Sequence, residues 1–192
     1  MLDLLENRTS VPAVQLSEPA PSKAQLERIL RCGLTAPDHA NLCPWRFITI
    51  QGDARIALGE VFAAAALKEN PHTPAEKIAR MQQKPLRSPM IIVIVATITA
   101  DHPKTPEIEQ VLSAGAAATL IQLAATASGF DSIWLTGPNT YNEDVKAALG
   151  VSKADQIVGF FYIGTPLKAA ALKPRPDLSE HVSEWSAPFT AL

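Results

Sequence analysis

Four short stretches of the chain carry residue types able to hold or transform a ligand. Asn7-Arg8-Thr9-Ser10 follows an opening run of helix formers. An arginine fork beside two hydroxyls and nearby backbone N–H groups can hold a phosphate. Lys173-Pro174-Arg175-Pro176, far along the chain, alternates two cations with two prolines. Proline fixes φ, so these charges sit at a stiff spacing. They suit either a phosphate clamp or a solvated arm.

The other two stretches flank predicted strands. Ala36-Pro37-Asp38-His39-Ala40-Asn41-Leu42-Cys43-Pro44-Trp45-Arg46-Phe47 is a proline-flanked loop leading into a strand, with polar residues and a histidine placed to touch a ligand. Trp45 reads as core. Gly129-Phe130-Asp131-Ser132-Ile133-Trp134-Leu135-Thr136-Gly137-Pro138 runs from a helix through a strand to a glycine. Bare backbone at such a strand end can approach a flat ring, although an ordinary connection has the same composition.

Several chemistries are excluded by what is missing. GxGxxG, GxxxxGK[ST] and GxSxG do not occur, so the usual phosphate cradles and nucleophile elbow have no candidate. His39, His72, His102 and His181 show no HxH or HxxxH spacing for a metal. The 192 residues are 47% hydrophobic and 19% charged, with a net charge of −2, which argues against disorder and against a coat for nucleic acid or membrane. Cys32 and Cys43 match no zinc spacing and are too few for a disulfide scaffold. The opening MLDLLENRTS lacks the cationic and apolar regions of a signal peptide, so a cytoplasmic location is expected.

The elements that must position these stretches follow from periodicity. Asp3 to Asn7 predicts a helical turn or two. Residues 22–34 predict an amphipathic helix, capped by Ser22 with Gln25 in the capping-box position. Residues 54–67, 75–83 and 142–149 predict further helices, the last ended by Gly150. Phe47–Ile50, Ser132–Thr136 and Gln156–Ile163 predict strands, and Gly164-Thr165-Pro166 predicts a stop. Met90 to Thr97 is an unbroken apolar run suited to a central strand. Residues 107–129 predict a long helix, apolar on every side, whose small residues favour close packing in the core of a soluble protein or against a partner subunit. Residues 167–192 predict an extended arm. The whole, residues 1–192, reads as one α/β or α+β domain.

In this order and spacing, the stretches resemble the flavin-dependent nitroreductase family, most closely its short, single-domain bacterial members, the YdjA-like group. The resemblance runs from LLENRTS through APDHANLCPWRF and LSAGAAATLIQLAATASGFDSIWLTG to VGFFYIGTP and KPRP. It implies an α+β sandwich around a mixed sheet of four or five strands, with a long buried central helix. It implies a homodimer with FMN at the subunit interface and a C-terminal arm exchanged between subunits. Carried over by position, Arg8, Thr9 and Ser10 would hold the FMN phosphate and ribityl chain. Thr35 and His39 would reach FMN partly across the dimer. Trp134, Leu135 and Thr136 would lie beside the isoalloxazine, and Lys173 and Arg175 would serve the phosphate.

The implied activity is hydride transfer from NADH or NADPH through flavin N5 to a flat, electron-poor acceptor such as a nitroaromatic or quinone, by ping-pong kinetics and with no catalytic side chain required. Short members often carry arginine at the positions of Thr35 and Leu135, where this chain has none. Reduced FMN is negative around N1, so this loss favours an alternative, a flavin-binding protein with little turnover, unless Arg46 or the tail supplies a cation. Lid-dependent flavin chemistries fit less well, because the span from Asp53 to Met90 is short.

Overall fold

Met90–Ala96 (β3) is buried along its whole length and forms the middle of the sheet. It pairs on one edge with Trp45–Gln51 (β2) and on the other with Gln156–Pro166 (β5). The far edge of β5 pairs with Asp131–Leu135 (β4). A two-residue strand, Leu16–Ser17 (β1), pairs with the end of β5 at Thr165 and Pro166. The computed structural model describes residues 2–185.

Every pairing is antiparallel, so the expected mixture of parallel and antiparallel neighbours does not form among the described residues. The reason lies in one crossover. β3 leads through a long helix, Glu107–Ala127 (α5), to β4, which runs in the same direction as β3. The two never touch, because β5 enters between them in the opposite sense. β5 also runs through the predicted stop to Pro166, since β1 offers backbone partners there.

The period-two alternation of a strand sends neighbouring side chains to opposite faces. Ile91, Val93 and Val95 of β3 join Phe160 and Tyr162 of β5 on one face. Ala54–Glu69 (α3) covers that face with Leu58 and Phe62, and Glu143–Ala148 (α7) adds Val145. Phe62 meets Phe160 edge-on, with ring centroids 5.5 Å apart. Ile92, Ile94, Phe161 and Ile163 face the other way, against Ile29 of Lys23–Gly33 (α2) and Ala118, Ile121 and Ala125 of α5.

The remaining elements lie at the rim. Leu2–Glu6 (α1) opens the chain, Ala75–Gln83 (α4) packs on α3, and Pro138–Tyr141 (α6) follows β4. Among residues 167–185 the one helical element is a short turn, Leu178–Glu180, and all but the half-buried Ala170 are exposed. The rest of the expected arm, residues 186–192, lies outside the described residues.

α5 departs from expectation in one respect. Its length and composition would suit a membrane span, yet it is built into the core along one face. The other face is not buried within the chain: Ile108 and Leu112 are each 63% exposed. Apolar composition on all sides cannot distinguish a helix sunk in a core from one with a free docking face.

α2 shows how locally the sequence acts. The Ser22 hydroxyl accepts the Gln25 N–H, and the Gln25 side chain accepts the Ser22 N–H at 3.0 Å, a complete capping box. Ser22→Ala should therefore cost about 1 kcal/mol. Urea denaturation checks this, and an unchanged midpoint would show that the cap carries no stability.

Candidate functional site

The amino-terminal stretch leaves α1 and runs onto β4, where the Val11 N–H donates to the Ser132 carbonyl at 3.1 Å. This bond ties the segment carrying Arg8, Thr9 and Ser10 to the beginning of β4. Arg8 Nη1 donates to Ser10 Oγ and to Gln122 Oε1 of α5, each at 3.4 Å. Thr9 Oγ1 is buried with no hydrogen-bond partner. Thr9 and Ser10 form one wall of a cavity of about 230 Å³, and the arm forms the other, with Lys168 and Lys173 lining it. Arg175 reaches the same place, donating to the carbonyls of Arg8 and Glu6. Two stretches separated by most of the chain thus meet around one cavity.

The strand-end stretch builds a second cavity, of about 110 Å³. Leu135, Thr136 and Gly137 line it where β4 ends. Gly137 has φ +122°, a conformation open to glycine and strained for other residues, so the backbone turns without a side chain in the way. Trp134 is placed differently from its two neighbours. Its indole packs on Phe161, centroids 5.2 Å apart, and its Nε1–H donates to the Val158 carbonyl at 3.1 Å. The side chain belongs to the core layer under α5 and does not line this cavity.

Two residues that the sequence reading passed over complete the second cavity. Lys84 and Arg87 bracket a short 3-10 turn just before β3, and both line it together with Tyr162. Neither forms an ion pair among the described residues. Lys84 is half-buried, and desolvation first, then the charges of Arg87 and Lys77, hold its pKa below the usual lysine range. Burial pushes the Tyr162 phenol up to about 12 against the opposing pull of Arg87. Lys84 is half-buried with no carboxylate beside it, which is costly unless an anion meets it, while Arg87 is exposed. The available signal was a pair of basic residues around a proline ahead of an apolar run, which carries no recognisable period. Arg46, weighed as a substitute cation, is instead tied to the Gly150 carbonyl at 2.6 Å.

The two cavities share no lining residue, and the turn Ala13–Gln15 stands between their surroundings. Gln15 lines the first cavity, and the turn packs against Lys84–Arg87 of the second.

Thr35 and His39 are not brought to these cavities within the chain. Thr35 Oγ1–H donates to the Cys32 carbonyl at 2.8 Å and finishes α2. His39 Nδ1 lies 2.8 Å from Glu109 Oε2 on α5, at the rim of a third cavity of about 420 Å³. That cavity opens along the free face of α5, where Leu112, Ser113 and Ala116 line it. The loop beside it is strained: Ala40, Asn41 and Cys43 adopt φ of 66°, 54° and 49°. Asp38 holds the loop by accepting the Cys43 N–H at 2.6 Å.

Fold and site together define a class, an α+β protein with cations lining two cavities near β4, the strand that pairs with the outer edge of β5. Residues 5–165 match the sequence profile of the Nitroreductase family. The chain belongs to that family. It is 42% identical over 183 residues to an Escherichia coli protein named "Putative NAD(P)H nitroreductase YdjA", a match covering 95% of this chain and 97% of that one. A Haemophilus influenzae protein named "Putative NAD(P)H nitroreductase" is 36% identical over 88% of this chain and 90% of its own length. Among solved structures, a nitroreductase-like protein from Bacillus cereus superposes with a TM-score of 0.81 at 22% identity, covering 97% of this chain and 96% of that one. A protein from Desulfovibrio desulfuricans, crystallised in complex with FMN, superposes at 0.73 and 23% identity, covering 97% of each chain. At these identities the structural likeness is one of fold.

The placement of the Trp134 indole depends on a bare backbone opposite it. A Cβ on Gly159 would lie 2.1 Å from Trp134 Nε1. Gly159→Ala should displace the indole, break its bond to Val158 and cost about 1–3 kcal/mol. Urea denaturation read by tryptophan emission checks both, and a variant matching the parent in both would show that the indole is not held there.

Proposed function

We propose that this protein is a single-domain, FMN-dependent NAD(P)H oxidoreductase that reduces flat, electron-poor acceptors of the nitroaromatic or quinone type. The observation that carries the reading is the meeting of Thr9, Ser10 and Lys173, from opposite ends of the chain, around one cavity, with a second cavity lined by Thr136, Lys84 and Arg87. The residues present fit FMN on a specific ground. Thr9 Oγ1 is buried and unpaired beside a lysine in the first cavity, as a site for a phosphate and its polyol would require.

In this reading Arg8, Thr9, Ser10 and Lys173 hold the phosphate and ribityl chain. Arg175 holds the arm against the Arg8 backbone. The backbone at Thr136 and Gly137 meets the ring. FMN, when bound, supplies the hydride-transfer chemistry. Lys84 and Arg87, which line the second cavity, would supply positive charge to the reduced cofactor in place of the arginines absent at Thr35 and Leu135. These two cations support turnover over a storage or sensing role. Reductant and acceptor use the same open face in turn, which gives ping-pong kinetics.

The reading includes a cytoplasmic homodimer. Support for assembly comes from the free apolar face of α5 and from an arm that exposes Leu172, Leu178, Val182 and Trp185. His39 lines the cavity on this surface, and both it and Thr35, which line neither of the other two cavities, would reach FMN from a second copy.

The first test is a visible absorption spectrum of the desalted protein after loading with FMN. Stoichiometric retained flavin, bleached by NADH or NADPH in stopped flow, is the expected result. A chain that retains no flavin at any loading would overturn the proposal. Arg8→Ala should weaken FMN binding by about 1.5–3 kcal/mol, the loss of a charge-assisted hydrogen bond. Equal FMN retention by the variant and the parent would remove Arg8 from the site. Leu112→Arg should convert a dimer to a monomer in light scattering, and a parent protein already monomeric at micromolar concentration would count against the assembly.

A further inference from the structure

α5 buries two glutamines, and they are treated differently. Gln110 is fully paired: its Nε2 donates to the carbonyls of Thr99 and Thr105 at 2.9 and 3.0 Å, and its Oε1 accepts the Thr99 N–H at 2.8 Å. Gln122 is only 6% exposed, yet it makes a single side-chain bond. Its Oε1 accepts from Arg8 Nη1 at 3.4 Å, and its Nε2 is buried without a partner among the described residues. Thr9 Oγ1 and Ser132 Oγ, on the segments that the Val11–Ser132 bond joins, are buried and unpaired too.

Packing alone does not ask for a polar residue here. The neighbours of Gln122 on the buried side of α5 are Ala118, Ile121 and Ala125. A leucine would fill such a place without leaving a donor unpaired. A glutamate would pair with Arg8 and cancel its charge. A glutamine fixes the guanidinium through a neutral oxygen and leaves the positive charge available.

We propose that Gln122 is a positioning residue that orients the Arg8 guanidinium for a phosphate monoester in the adjoining cavity, and so sets the preference for FMN over riboflavin. The inference rests on the FMN reading above. It adds a residue that acts through Arg8 and selects the phosphorylated form of the ligand.

The test titrates the full chain with FMN and with riboflavin, by quenching of flavin fluorescence, in the parent, Q122L, Q122E, R8A and the R8A/Q122L double variant. Q122L should weaken FMN about five- to tenfold, the scale of one hydrogen bond, and leave riboflavin unchanged. Q122E keeps the side-chain volume and serves if Q122L does not fold. It should weaken FMN at least as much, because it neutralises the arginine. In the R8A background Q122L should cause no further loss, the signature of two residues acting as one. FMN affinity unchanged in Q122L and Q122E overturns the proposal. So does equal weakening of FMN and riboflavin, or additive losses in the double variant. FMN binding lost in R8A but intact in both Gln122 variants removes this inference and leaves the proposed function standing. A parent chain that binds no FMN removes both.

Discussion

The backbone ladder between β3 and β5 is the constraint on which the other elements depend. β3 is wholly buried, so each of its N–H and C=O groups must find a partner in a strand, and both its edges are taken. β5 in turn pairs on both edges and extends far enough to catch β1. With these strands fixed, the two faces of the sheet are defined residue by residue, and α3 with α7 and α2 with α5 have definite surfaces to cover. The site is a by-product of how this sheet ends. β4 stops at Leu135 against β5, the amino-terminal segment is bonded to Ser132, and the space beyond is lined by groups that the core has no use for.

Charge is distributed around that end in a way that local sequence could not show. Lys173 comes from the arm, Arg8 from the segment after the first helix and Lys84 and Arg87 from a turn in the middle of the chain. None has a carboxylate in ion-pair range among the described residues. In a chain with a net charge of −2, such a local excess of positive charge comes from placement and not from composition.

The elements that could be read from sequence were those whose cause is local. The Ser22–Gln25 cap is a matter of three residues, and β3 is announced by seven apolar side chains in a row. What could not be read depends on partners distant in the chain. β1 is two residues long and exists because Thr165 and Pro166 are there to pair with it. The free face of α5 has the same composition as its buried face. Lys84 and Arg87 carry no pattern, since a 3-10 turn has too few residues to show a period. For the amino-terminal and tail stretches, residue chemistry suggested what each could bind, and the fold supplied the fact that Thr9, Ser10 and Lys173 share one cavity. Trp134 shows the limit of carrying a role along a strand, because its indole and the Leu135–Thr136 end serve different layers.

The insertion of β5 between β3 and β4 has a consequence for how the molecule comes into being. A ribosome delivers β2, β3, α5 and β4 first, and among the described residues β4 has no strand to pair with until β5 follows. Until residues 156–166 clear the exit tunnel, the inner edges of β3 and β4 stand open and the apolar faces of α2, α3 and α5 have only part of a floor. The strand that closes the sheet therefore comes after every strand it pairs with, and it closes the sheet through contacts distant in sequence. A molecular chaperone that shields extended apolar segments would find its substrate here in the nearly finished chain.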